Sequence, residues 1–196
     1  MNNKILYWPG MGQNLDILKH FRNELISNGY EINAITFKYD YGKLNPKNWN
    51  EIENNQADWW IGISLGASLL YYAYSFVKKS NKPSRITIIN PFSSREKLST
   101  EKGFDLSNQW NFSPKNEKCN INEIDLVSSL YDSKIPMYHG IELLNNTVSK
   151  HKNLIFVSEE HTITSIDVQK ELANVLLEID GGKVSEKYNY CNIYKQ

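Results

Sequence analysis

The strongest constraint on how this chain folds is a junction near its middle. Trp59-Trp60-Ile61-Gly62-Ile63 is an apolar run of strand-like composition, Leu65 to Lys79 is a strongly apolar helical pattern, and the single residue Ser64 separates them. A chain that passes from strand to helix through one residue turns so sharply that the flanking positions must be small. Glycine stands two positions before and two after the serine, at Gly62 and Gly66. The rest of the sequence repeats this alternation of short β-rich runs and longer helical patterns. Lys4 to Trp8 reads as a first strand that ends in the turn Pro9-Gly10-Met11-Gly12, and Leu15, Leu18, Phe21, Leu25 and Ile26 then recur at helical spacing up to an Asn28-Gly29 cap. Ile32 to Tyr39 reads as a second strand, followed by a short helix around Trp49 to Asn54. Arg85 to Asn90 supplies a fourth strand, Ile135 to Ile141 a fifth, Asn153 to Val157 a sixth, and Thr164 to Leu177 a closing amphipathic helix. The predicted class is α/β: a three-layer α/β/α sandwich around a mostly parallel sheet of about six strands.

A length of 196 residues suits a single domain over 1–196, since domains commonly run to about 100–200 residues. Between the fourth and fifth predicted strands the pattern weakens, which marks 92–129 as an insertion in the position of a lid, and 180–196 reads as a polar tail. With 22 basic against 22 acidic residues there is no concentrated positive field of the kind that nucleic acid or an anionic membrane surface requires. Cys119 and Cys191 form no C-x-x-C and have no Cys/His neighbours at ligand spacing, so neither a disulfide framework nor a metal site is expected. No apolar stretch is long enough for a membrane span and no leader pattern appears, so the expectation is a cytoplasmic protein. The 24 Asn and 19 Lys fit the codon bias of an AT-rich bacterial genome.

The chemistry is concentrated at the junction. Gly62-Ile63-Ser64-Leu65-Gly66 is a G-x-S-x-G pattern in a strand-to-helix context, which lifts a serine hydroxyl above the carboxyl edge of a sheet and points the helix N-terminus at developing negative charge. The alternative is structural, with the glycines allowing close packing and Ser64 capping the helix. A serine hydroxyl needs a base to become a nucleophile. His20 reads as a surface residue on the first helix, His151 as a loop residue, and His139 as a packing residue within the fifth predicted strand. His161 follows the last predicted strand by a few residues, which places it at the carboxyl edge with Ser64.

With these features in this order, the chain resembles the α/β-hydrolase superfamily from Lys4 to about Ile179, as a compact member without the two N-terminal antiparallel strands of larger relatives. The resemblance implies Ser64 as nucleophile, His161 as base, and an oxyanion hole from the backbone N–H groups of Leu65 and Met11. Relatives often carry His-Gly in the first turn, where this chain has Pro9-Gly10. The triad acid is the point of departure: relatives place an Asp a few residues after the His-Gly of Ile135-Pro136-Met137-Tyr138-His139-Gly140, where this chain has Leu143 and Leu144. Glu142 is the nearest carboxylate; a carboxylate in the preceding segment, such as Asp105 or Asp132, and no acid at all are the alternatives. Trp8, Phe92, Trp110 and Phe112, with Phe104, are aromatics that would line an acyl pocket or simply cover the sheet edge. The implied activity is hydrolysis of an ester or thioester through a Ser-His(-acid) acyl-enzyme, without a cofactor. Carboxylesterases and the methyl esterases that act on pimeloyl groups carried by acyl carrier protein are the implied subclasses, which makes that carrier a candidate partner beside small acyl esters. The competing reading is a catalytically degenerate hydrolase serving as a ligand- or protein-binding module.

Overall fold

The computed structural model describes residues 3–12, 14–35, 46–103, 114, 119–181 and 190–193. Strands β1 (Lys4–Trp8), β2 (Glu31–Ala34), β3 (Trp59–Ile63), β4 (Arg85–Ile89), β5 (Asn120–Ser129), β6 (Val148–Val157) and β7 (Tyr190–Ile193) form one sheet in the order β2-β1-β3-β4-β5-β6-β7. Every neighbouring pair is parallel. The helices are α1 (Lys19–Ser27), α2 (Pro46–Asn54), α3 (Leu65–Phe76), α4 (Arg95–Lys102), α5 (Tyr138–Asn146) and α6 (Ile166–Asp180).

The three layers follow from the two-residue period of strand side chains. Ile5, Tyr7, Trp59, Ile61 and Ile63 point to one face and pack with Phe21 and Leu25 of α1 and Leu172 and Leu176 of α6. Leu6, Trp8 and Trp60 point to the other, where Leu69, Leu70, Tyr71 and Leu143 of α3 and α5 cover them. Because both faces are covered, β3 and residues 5–8 of β1 are apolar throughout. Among the described residues no helix is long and apolar enough to cross a membrane.

The fifth strand differs from its sequence prediction. Tyr138–Asn146 is a helix, and its face toward the sheet is cut back to Gly140, where a Cβ would lie 2.6 Å from Leu126 Cδ1. The strand comes earlier, at Asn120–Ser129, so the carboxyl part of the expected insertion lies within the sheet between β4 and β6. Of the rest, α4 is helical, whereas 104–113 and 115–118 lie outside the described residues. Four residues of the expected polar tail form β7, whose partner is β6.

Two of the polar residues that disguise β5, Glu123 and Asp125, belong to a charged cluster around Arg85. Asp125, fully buried, accepts from Arg85 Nε at 2.8 Å, Thr87 Oγ1 at 2.6 Å and Asn153 Nδ2 at 2.8 Å. Arg85 in turn lies 4.1 Å above the Trp59 ring and donates to Asp180 Oδ1 and the Leu176 carbonyl, fixing the end of α6. The buried Asp125 charge is tolerated because it is paired with Arg85 and accepts two further hydrogen bonds, from Thr87 and Asn153.

Candidate active site

Ser64 occupies the one-residue turn between β3 and α3 with φ 54° and ψ −122°, a conformation that costs a non-glycine residue on the order of 1–3 kcal/mol. The surroundings hold it there. Its backbone N–H donates to the Ile89 carbonyl at 2.8 Å, and its own carbonyl accepts from Ser68 N–H at 3.1 Å to begin α3. Both flanking glycines are sterically required: a Cβ on Gly62 would lie 2.7 Å from Ala67 Cα, and one on Gly66 only 2.2 Å from the Trp8 carbonyl oxygen. These are backbone atoms, so neither position has room to relax. The Ser64 hydroxyl makes no capping bond to α3, which removes the structural explanation for a serine at this position.

The hydroxyl faces His161 instead. His161 Nε2 lies 2.9 Å from Ser64 Oγ, and its Nδ1 lies 2.7 Å from Asp132 Oδ2. An acceptor-only carboxylate at Nδ1 places the ring proton there and leaves the Nε2 lone pair directed at the serine. The Asp132 side chain is 1% exposed and that of His161 13%, so the acid is enclosed while the base reaches the surface. Asp132 sits in the turn after β5, and its other oxygen, Oδ1, accepts the backbone N–H groups of Lys134 and Ile135, each at 2.8 Å. These two bonds fix the orientation of the carboxylate.

The acid expected from sequence lies elsewhere. Glu142, on α5, accepts a hydrogen bond from Ser93 Oγ and lies 3.6 Å from Lys97 Nζ of α4, whereas the carboxylate at His161 Nδ1 is that of Asp132. Sequence reasoning ranked Asp132 below Glu142 because it took Ile135 to Ile141 as a strand and searched beyond it. The local signal was Asp132-Ser133-Lys134, an Asx-turn sequence in the position where a strand ends. Trp8 and Phe92 are 0% and 1% exposed and belong to the core, with the Trp8 and Trp60 rings 5.4 Å apart and tilted by 40°, so neither lines an open pocket. Trp110, Phe112 and Phe104 lie outside the described residues, as does Asp105. Leu65 is the first residue of α3, whose opening turn has N–H groups without intrahelical partners. Met11 lies in the turn after β1, which crosses the nucleophile turn closely: a Cβ on Gly10 would stand 3.5 Å from Ser64 Cβ.

A second histidine lies beside the site in a contrasting environment. His139 is fully buried, with the Ser93 backbone N–H donating to its Nδ1 at 3.2 Å and Glu101 Oε2 lying 3.3 Å from its Nε2. Burial pushes its pKa below the usual histidine value, against the opposing pull of Glu101 and Glu142 and with a smaller push from Lys97. The unfolded chain therefore binds this proton at a higher pH than the folded one, and stability falls as pH drops through about 6.5. The thermal midpoint is expected to decline between pH 7.5 and 5.5, with a shallower decline in His139→Gln; equal slopes for the two proteins would remove His139 as the cause.

No family model matches the chain, and no curated protein matches it in sequence. Solved structures do match. Alpha/beta hydrolase domain-containing protein 10 from mouse superposes with a TM-score of 0.69 at 12% identity, covering 92% of this chain and 90% of that one. A sugar hydrolase from Lactococcus lactis gives 0.70 at 12% identity over 93% and 90%. A monoacylglycerol lipase from Paleococcus ferrophilus gives 0.68 at 12% identity over 90% and 93%. The parallel sheet order, the serine between β3 and α3, and these superpositions over nearly the whole of each chain lead to one conclusion: this chain has the α/β-hydrolase fold.

Proposed function

We propose that the protein is a serine hydrolase of carboxylic esters or thioesters. The observation that carries this reading is the continuous hydrogen-bonded line from Asp132 through His161 to Ser64, at 2.7 Å and 2.9 Å. Ser64 Oγ attacks the acyl carbonyl as His161 Nε2 takes its proton, and the N–H groups of Leu65 and Met11 hold the oxyanion. Collapse breaks the bond to the leaving oxygen or sulfur, which receives the proton from His161. Water then attacks the acyl-enzyme, with His161 as base, and releases the acid and the serine.

The rim of the site supports an apolar acyl group, free or carrier-bound. Met11, Leu15, Leu130, Tyr131, Met137 and Ile166 are exposed large apolar residues on segments that leave the carboxyl ends of strands, the edge of the sheet that carries Ser64. The fold-matched proteins include an esterase domain and a monoacylglycerol lipase, and the monoacylglycerol in the latter's name carries an apolar acyl chain. A carboxylate at His161 Nδ1 supports the hydrolase reading over a binding module.

The test is active-site labelling. A fluorophosphonate probe is expected to modify the wild type at Ser64, as read by peptide mass spectrometry, and to leave Ser64→Ala unmodified. A wild type that resists the probe and fails to hydrolyse short-chain p-nitrophenyl esters would reject the hydrolase reading.

A further inference from the structure

We infer that Asn90 is a positioning residue that locks the base loop to the acid loop through a single side-chain amide. The inference rests on the proposed Ser64–His161 chemistry and adds a component to it. Asn90 follows the last residue of β4, is 4% exposed, and has φ 49°, a left-handed conformation that asparagine tolerates better than most residues. Its Oδ1 accepts the Ser129 backbone N–H at 2.8 Å, and its Nδ2 donates to Ser129 Oγ at 2.8 Å and to the His161 carbonyl at 2.9 Å. Both amide hydrogens and the carbonyl are therefore used. Ser129 ends β5 and stands three residues before Asp132, whose N–H returns to the Ser129 carbonyl at 3.3 Å. The preceding residue, Ile89, holds the Ser64 N–H.

This dipeptide thus ties together the backbones that carry all three members of the line. The arrangement matters most for His161, which lies in an irregular segment between β6 and α6 and depends on side-chain ties for its position. Near-attack geometry is sensitive to displacements of about 1 Å, which cost on the order of 10²-fold in rate. Releasing the His161 carbonyl allows a shift of that size without touching any surface that binds substrate.

Two variants test the inference. Asn90→Gly keeps the left-handed backbone accessible and removes all three side-chain bonds; Asn90→Asp keeps the acceptor for Ser129 N–H and sets a carboxylate oxygen against the His161 carbonyl. For each, the fluorophosphonate labelling rate and kcat are expected to fall about 30-fold or more, with KM changed by less than about threefold, at temperatures well below the thermal midpoint. The low-field proton resonance of the Asp132–His161 hydrogen bond is expected to broaden or vanish in both. The inference is overturned if either folded variant keeps the wild-type labelling rate, or if the rate falls while that resonance is unchanged. If Asn90→Gly does not fold, Asn90→Asp decides alone. A wild type that is not labelled defeats the hydrolase reading and this inference together, whereas a labelled wild type with unaffected variants defeats only this one.

Discussion

Replacing Asp132 with asparagine is expected to lower ester turnover by about 10⁴-fold while leaving the fold intact, the scale seen when a triad aspartate is made neutral. The asparagine keeps an oxygen for the Lys134 and Ile135 N–H groups that now meet Oδ1. It presents an amide NH₂ to His161 Nδ1, where the carboxylate now stands at 2.7 Å. An NH₂ at that position favours the tautomer with the proton on Nε2, and the ring then offers Ser64 a donor where a base is required. It also removes the negative charge that stabilises the imidazolium formed during acylation. Glu142→Gln is the paired control, because Glu142 faces Ser93 and Lys97, and turnover is expected to stay within about threefold of wild type. The measurement is steady-state hydrolysis of a short-chain p-nitrophenyl ester by both variants, with circular dichroism to establish folding. Equal losses in the two, or a larger loss in Glu142→Gln, would return the acid's role to Glu142.

The largest effect on stability is expected from Asp125→Ala. The aspartate is fully buried and compensates an arginine whose side chain is 3% exposed. Removing it leaves the Arg85 guanidinium with the more distant Glu123 at 3.6 Å and the partly exposed Asp180, and strands the donors of Thr87 and Asn153. Breaking one side of a buried pair costs about 3–5 kcal/mol. In a chain of this size that corresponds to a fall of about 6–20 °C in the thermal midpoint. The double variant Arg85→Met/Asp125→Leu removes both charges and is expected to recover most of the loss, because apolar replacement of a whole buried pair is often neutral. Thermal unfolding followed by circular dichroism separates the cases: a single variant within about 2 °C of wild type would show that the pair is solvated or redundant.

Most of the sheet was legible in the sequence because strands buried on both faces are written as continuous apolar runs. Lys4–Trp8 matches its prediction residue for residue, and β3, β4 and the carboxyl half of β6 fall within or around theirs. Strand β5 was not legible. It carries Asn120, Asn122, Glu123, Asp125, Ser128 and Ser129, and what makes such a strand possible is the pairing of Asp125 with Arg85, 40 residues away, which no local window contains. The converse error has the same origin. Ile135-Pro136-Met137-Tyr138-His139 has strand-like composition, yet a helix forms because Gly140 lets it approach Leu126. The site divides along the same line. Ser64 and His161 were legible because a one-residue turn and a histidine after the last strand are local features. Asp132 entered only beside Asp105, as an example of an alternative to Glu142, since locating the acid depended on knowing where β5 ends.

The all-parallel sheet also sets the order in which this site is completed. Among the described residues no strand pairs with its neighbour through a tight hairpin, so each must wait for a crossover segment to be made. Ser64 and His161 are 97 residues apart, and at about 5–20 residues per second of synthesis the serine leaves the ribosome some 5–20 s before its base. Asp132 emerges between them. Under the proposed mechanism, a nascent chain that has formed the turn at Ser64 therefore carries an unactivated hydroxyl until β6 and the following loop are in place.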